Sequence, residues 1–316
     1  MEPFVEVRPS VPRVLDKYVL PKVAFTLVTA ASMAGAVLTG LRHGWFGWPA
    51  LAVRWSAYWV LALLLGSQMW KLFYLAPSVR QRPVPEAVDY GEAMVRLHRA
   101  WQRVLLPAAI LLVGADLALY LRHGPIARPW VVVAGGALAL AAAGIAGDWW
   151  ARPDCRRPGA PAWLALGGLA GAALALGGLD VVLQPATASP WLLVPNRVLH
   201  VWAFSAWLGG ALWNIFIAVP AGLPRVNMDT VILANFQLER FRVVVRTVFP
   251  TLVATGLVQT WAMFGWGWQP LLTSAWGRLV LTKLGLIALL VGVFITCPMW
   301  RACSPIRGVC NLDDLE

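Results

Sequence analysis

Charge is scarce in this chain. Only 13% of its 316 residues are Asp, Glu, Lys or Arg, about half the share of a soluble domain. Acids are rarer still, 15 against 26 basic residues. That leaves too little polar surface to cover a water-soluble fold, and with 59% hydrophobic residues the class that fits is an all-α, polytopic membrane protein. Cysteine and histidine number four each. Cys297, Cys303 and Cys310 are spaced by six and seven residues, which matches no zinc or iron–sulfur signature, and together with Cys155 they read as reduced structural thiols. Walker, dinucleotide-binding and nucleophile-elbow motifs are absent, so ordinary soluble-enzyme chemistry is not expected. The first 22 residues mix Glu2, Glu6 and Asp16 with the basic residues. This is unlike a cleavable signal, so the first helix is expected to be retained.

Long uncharged runs take the place of charge. Nothing is charged between Lys22 and Arg42, Arg128 and Asp148, Arg157 and Asp180, Arg197 and Arg225, or Arg246 and Arg278. Three more runs, Trp55–Pro77, Val104–Tyr120 around Asp116 and Leu279–Trp300 around Lys283, are shorter or interrupted. A helix needs roughly 20 apolar residues to cross a bilayer core of about 30 Å. The pattern therefore predicts eight transmembrane helices.

The chain also repeats. Shifted by 143 positions, residues 54–107 align with 197–250 without a gap, and 12 of the 54 pairs are identical. The matched residues include Arg54, Trp59, Gly66, Trp70, Pro77, Arg82, Arg99, Arg103 and Pro107, which fall on Arg197, Trp202, Gly209, Trp213, Pro220, Arg225, Arg242, Arg246 and Pro250. The expected organisation is two parallel four-helix repeats, a degenerate first unit over residues 1–150 and a second over 151–316, joined by a cytoplasmic linker from Asp148 to Pro161. An even number of helices per unit gives both the same orientation.

Assigning alternate loops to opposite sides puts 19 Lys/Arg on one side and 6 on the other, with Lys283 inside the last helix. By the positive-inside rule both termini face the cytoplasm. The tryptophans Trp45, Trp48, Trp191, Trp266, Trp268 and Trp276 then fall at the outer interface, where an amphipathic ring sits best. A net charge of +11 held at helix ends, without an aromatic-interleaved stripe, argues for the lipid bilayer as partner and for no nucleic acid.

Chemistry in such a chain must come from polar groups at membrane depth, each costing about 2.5–3.5 kcal/mol on insertion scales. Asp116, Asp180, His200 and Lys283 are the candidates, all toward the outer ends of their helices, with His43 and His123 beside them and His98 alone on the cytoplasmic side. His200 aligns with Ala57, which puts the expected site in the second unit with the first as scaffold.

Around that histidine, His200, Ala203, Trp207, Gly209 and Gly210 form H-x-x-A-x-x-x-W-x-G-G, followed by Arg240–Phe241, Thr255–Gly256 and the run Trp276-Gly277-Arg278-Leu279-Val280-Leu281-Thr282-Lys283-Leu284. Over roughly residues 195–298 this succession resembles the copper resistance protein D family (CopD) and, more distantly, the four-helix HemJ protoporphyrinogen oxidases, which also pair a helix-borne histidine with a lysine in the last helix. The resemblance implies a bacterial inner-membrane protein that takes part in copper transport or resistance from the periplasmic side. A periplasmic copper chaperone or a larger membrane complex would be its partner. It makes His200 and Lys283 the expected cofactor-binding pair. Cu(I) favours thioether and imidazole, and Cu(II) imidazole with oxygen, so His200, His43, His123, Asp116, Asp180 and Met263 are the expected metal ligands. The sequence departs from a rich copper site: Met33 and Met263 are the methionines in outer or middle helix regions, and no M-x-x-M or H-x-H occurs. Two alternatives stay open, a haem b electron-transfer protein with His200 as axial ligand, and an integral subunit of a respiratory or photosynthetic complex.

Overall fold

The computed structural model describes residues 19–42, 44, 47–152, 154–183, 189–225, 227–265 and 267–296. His43, Trp45, Trp266, Cys297, Cys303 and Cys310 lie outside the described residues. Among the described residues, eight helices are long and apolar enough to cross a membrane. They are α1 (Val19–Arg42), α2 (Trp48–Trp70), α3 (Pro85–Tyr120), α4 (Arg128–Trp150), α5 (Ala160–Val182), α6 (Pro190–Leu212), α7 (Met228–Phe264) and α8 (Ala275–Thr296). A short helix, Trp268–Thr273, precedes α8. The all-helical, membrane-spanning class expected from composition is what the chain adopts. Below, "upper" denotes the end of the bundle where α1, α3, α5 and α7 finish.

Local chemistry sets the helix ends. Proline stands in the first turn of α2, α3, α4, α5 and α6, where its missing N–H has no intrahelical partner to lose. Asn227 caps α7 by accepting from the Thr230 amide at 2.8 Å, relieving one of the orphan donors of the first turn. After Trp70 and after Leu212 the α-helix passes into a π-helical turn, Lys71–Leu75 and Trp213–Ala218, before resuming. These wider turns let one extra residue into the helix without ending it.

The core is built on the crossing of α2 and α6. A Cβ on Gly66 would run into the backbone of Ser205 and Gly209, and one on Gly209 into the backbone of Gly66 and Ser67. The two helices therefore touch backbone to backbone, the close approach that small residues permit in membranes, where van der Waals packing drives association. The Trp70 indole lies against Gly210 and donates to the Ala206 carbonyl at 3.1 Å, and the Trp213 indole donates to Gln237 at 3.0 Å. Around this axis α3 packs on α2, α7 on α6, α4 along α5, and α1 along α8. At the lower end two ion pairs join segments distant in the chain, Arg82 to Asp229 at 2.6 Å and Arg225 to Asp89 at 2.5 Å.

Three boundaries differ from those read off the sequence. Helices α3 and α7 are 36 and 37 residues long, about 54 Å at 1.5 Å per residue, well beyond a bilayer core of about 30 Å. The sequence reading ends each at a cluster of basic residues and treats the preceding segment as loop. In fact Ala87, Tyr90, Gly91, Met94, Val95, His98 and Gln102 form a buried stripe at helical spacing while Arg96 and Arg103 point outward; charge marks where lipid ends, not where the helix does. Second, α4 runs on to Trp150, so Asp148 is a buried helical residue and not part of the linker. Third, α2 and α6 begin seven or so residues earlier than the apolar runs suggest, which moves Arg54 and Arg197 from outer loops into helices.

In the linker, Cys155 is buried against Gly91, with its thiol directed at the Val88 carbonyl at 3.7 Å. Burial pushes this thiol up to about 11, so it remains protonated at neutral pH and is a packing residue, not a reactive one.

The α2/α6 contact yields a direct test. Gly209→Val is expected to cost at least the ~1–3 kcal/mol typical of overpacking, because the added atoms meet backbone and not a movable side chain, whereas Gly114→Val, where nothing lies within 4 Å of an added Cβ, should leave stability near wild type. Unfolding of the two variants in detergent, followed by tryptophan fluorescence, measures the difference.

Candidate functional site

The upper end of the bundle holds a buried polar network drawn from five helices. On α2, Arg54 and Tyr58 stand four residues apart, and so do Asp116 and Tyr120 on α3, so each pair shares one helical face. Asp180 near the end of α5 is the hub. It accepts from the Arg54 guanidinium, from the Tyr120 hydroxyl, from Tyr58 at 2.8 Å, and from Arg197 of α6 at 2.8 and 3.2 Å. Arg54 also donates to the Tyr120 oxygen, and its guanidinium lies over the rings of Tyr58 and Tyr120, 5.3 and 5.5 Å from their centroids. Arg197 reaches on to Gln259 of α7 at 3.1 Å. Arg54, Asp116 and Asp180 have no solvent exposure. Charged groups at this depth are tolerable because each guanidinium is spread over carboxylate, hydroxyl and ring faces at once.

A ladder between α6 and α7 continues from Arg197 toward His200. Three residues separate these two on α6, and four separate Gln259 from Thr255 on α7, so the pairs Arg197–Gln259 and His200–Thr255 lie one turn apart. The His200 ring nitrogen Nδ1 is 2.8 Å from the Thr255 hydroxyl, and that hydroxyl donates its single proton to the Thr251 carbonyl at 2.6 Å. With the hydroxyl proton directed at that carbonyl, the Thr255 oxygen can accept from Nδ1–H, the tautomer that carries its lone pair on Nε2. Asn196 fixes the same turn of α7 by donating to the Thr255 carbonyl at 3.1 Å. Since α6 starts at Pro190, His200 sits ten residues inside its helix, deeper than the one turn expected from the apolar run.

Lys283 of α8 is half-buried, lies close enough for its charge to act on His200, and packs over Gly35 of α1, where an added Cβ would stand 3.2 Å from the ammonium. Among the described residues no carboxylate lies within ion-pair distance of it. Met263 is half-buried on α7, two turns beyond Thr255, and His123 lies in the 3-10 turn after α3 with its ring 6.3 Å from that of Tyr120. Of the residues singled out from sequence, the structure thus joins Asp116 and Asp180 through Arg54, sets Lys283 near His200, and places the His123 ring beside Tyr120 of the first group. Among the described residues no three His, Cys, Asp or Glu side chains come together in a way that could hold a metal ion. Asp180 is saturated by cationic and hydroxyl donors. A preformed multidentate metal cage is not a property of these residues.

The lower end has a second network. Lys71, in the first π-turn, pairs with Asp148 at 2.6 Å, and Arg99 approaches the same carboxylate at 3.5 Å. Gln68 donates to the Ala162 carbonyl at 2.7 Å and accepts from Gln102, while the Trp149 indole donates to Gln102. His98 meets Ser67 at 3.2 Å beside the Trp213 ring.

The sequence reading misses Arg54, Tyr58, Tyr120, Arg197, Lys71, Arg99 and Asp148 as buried partners. A signal was present for the upper set: the i,i+4 spacings Arg54–Tyr58 and Asp116–Tyr120 put a charge and a phenol on one face of an apolar helix. The hub predicts unequal roles for the two aspartates. Asp180→Ala should cost about 3–5 kcal/mol, the range for stripping one partner from a buried ion pair, while Asp116→Asn, which removes no hydrogen bond among the described residues, should cost under about 1 kcal/mol. Equal losses in detergent unfolding would show that Asp180 is not the hub.

Comparison with known proteins bears on one part of this arrangement. No curated protein and no solved structure matches the chain. A family model does match, over residues 237–303, a segment that carries most of α7, the short helix and α8, and with them Thr255, Gln259, Met263 and Lys283. The chain is therefore an eight-helix membrane protein whose segment 237–303 is matched by the family of copper resistance protein D (CopD).

Proposed function

We propose that the protein handles copper as cargo at the upper end of the bundle, that this end faces the periplasm across the inner membrane, and that His200 meets the ion. The observation that carries the reading is the contact of His200: Nδ1 stands 2.8 Å from the hydroxyl of Thr255, within the family-matched segment, an arrangement that suits an Nδ1–H donor and an Nε2 lone pair as ligand. An oriented imidazole of this kind, fixed by its other nitrogen, is how metal-ligating histidines are commonly held. The thioether of Met263 on the neighbouring helix has the softness suited to Cu(I). With so few ligands the copper is a passing substrate, and a loosely held ion is what transport requires. Lys283, near His200 on a separate helix, acts by charge and not by ligation, since a protonated ammonium has no lone pair.

The same reading takes the chain as two tandem four-helix units, 1–150 and 151–316, related by an axis along the membrane normal. What supports it is reciprocity. Gly66 and Gly209, 143 residues apart, face each other at the α2/α6 crossing, and π-turns begin within one residue of the equally spaced Trp70 and Trp213. Arg82 of the first unit pairs with Asp229 of the second while Arg225, its counterpart, pairs with Asp89 of the first. Arg54 and Arg197, again counterparts, meet on one carboxylate.

Two outcomes follow. Thr255→Val should weaken copper binding by about 10- to 100-fold, the cost typical of losing a residue that orients a metal-ligating histidine; His200→Ala should weaken it further, Ala57→His should not restore it, and Lys283→Ala should impair transport with less effect on bound metal. Isothermal titration of the purified full chain with Cu(I) measures this, and unchanged affinity in His200→Ala rejects the site. For orientation, a cysteine introduced at Ser189 should be labelled from outside intact cells while Cys310 is not; labelling of Cys310 would invert the topology.

A further inference from the structure

Asp116 occupies a position that no part of the copper reading uses. Its carboxylate is fully buried on α3, and neither oxygen has a hydrogen-bond partner among the described residues. The nearest cation is Arg54, whose Nη1 stands 3.9 Å away, turned toward Tyr120 and Asp180 instead. The titratable groups that face Asp116 are Arg54 and Tyr58 from α2, Tyr120 from its own helix, with His123 in the turn beyond, Asp180 from α5 and Arg197 from α6.

Two requirements on this carboxyl conflict. Among the described residues the network contains two guanidiniums, Arg54 and Arg197, and two carboxyls, Asp116 and Asp180, and a balance of these four in a low-dielectric interior asks for Asp116 to be ionised. Its empty hydrogen-bond shell asks the opposite, because a buried carboxylate with no donor loses its hydration without replacement. A group pulled both ways gains or loses a proton in response to a small movement of its partner. That partner is at hand, since Arg54 Nη1 already stands 3.9 Å from the Asp116 carboxylate while its other nitrogen bonds Asp180. Asp180 would not be stranded by such a turn, because Arg197, Tyr58 and Tyr120 continue to donate to it.

We propose that Asp116 is a proton-binding site within the membrane, protonated while Arg54 is bound to Asp180 and ionised when Arg54 turns to it, so that the upper network takes up and releases one proton. The atoms balance simply: the proton joins one carboxylate oxygen of Asp116, and the Arg54 guanidinium, charged throughout, moves between two acids. Because α2, α3, α5 and α6 all contribute to the network, each protonation state favours a different set of contacts between these helices. This connects a proton to the geometry of the end at which His200 sits.

Infrared difference spectroscopy of the purified full chain, between about pH 6 and about pH 9, tests this in a window where exposed Asp and Glu remain ionised. The expected result is a protonated-carboxyl carbonyl band that is lost as the pH rises, that is missing in Asp116→Asn, and that persists in His200→Ala. Should Asp116→Asn fail to fold, Asp116→Glu must shift the band's frequency. No such band in the wild type, an unchanged band in Asp116→Asn, or an unshifted one in Asp116→Glu overturns the proposal. The band in His200→Ala separates it from the copper reading, which can fail while the proton site stands.

Discussion

The carboxylate of Asp180 is the point on which the upper half of this protein depends. One fully buried acid near the end of α5 receives both guanidiniums, from α2 and α6, and two phenols, from α2 and α3. Without it the two arginines would lose the carboxylate they share at membrane depth, where an uncompensated charge costs several kcal/mol. With it, three costly residues become a clamp on four helices. The clamp needs α2 and α6 to lie close enough for both arginines to reach one acid, and the glycine contact between Gly66 and Gly209 provides that closeness. Packing at the centre and electrostatics at the upper end are therefore one constraint.

The lower end solves the same problem with different residues. There Lys71 and Arg99 share Asp148, and a chain of glutamine, serine and indole groups bonds alongside them. The two ends differ in what they leave over. Among the described residues, the amides at the lower end are largely used among themselves, though His98 Nδ1 has no partner, whereas the upper end retains an ammonium with no carboxylate in ion-pair range and a carboxyl without a donor. Surplus polar groups of that kind are expensive to keep in a membrane and mark the end where binding is expected.

Much of this was legible in the sequence, for physical reasons. Uncharged runs reveal spans because lipid excludes charge, and all eight runs correspond to long helices. Asp116, Asp180, His200 and Lys283 stand out because polar residues in such runs are costly. The partners were not legible. Arg54 and Arg197 lie near the ends of apolar runs, so a reading that treats charge as a boundary assigns them to loops, while in space each finds an acid 126 or 17 residues away in the chain. The same habit shortens α3 and α7, whose lower halves are amphipathic helices that expose Arg96, Arg103 and Arg246 beyond the apolar zone. Which candidate ligands converge depends on helix rotation and crossing, and hydropathy carries no information on either.

In the function proposed above, copper is met at the upper end by one oriented imidazole and passed on. Metal analysis of the purified full chain beside its visible absorption spectrum tests that claim most directly. The predicted result is copper bound in a stoichiometric amount after exposure to Cu(I), with no Soret band. A Soret band without copper would replace the copper reading with a haem one, and the absence of both signals would contradict metal handling altogether.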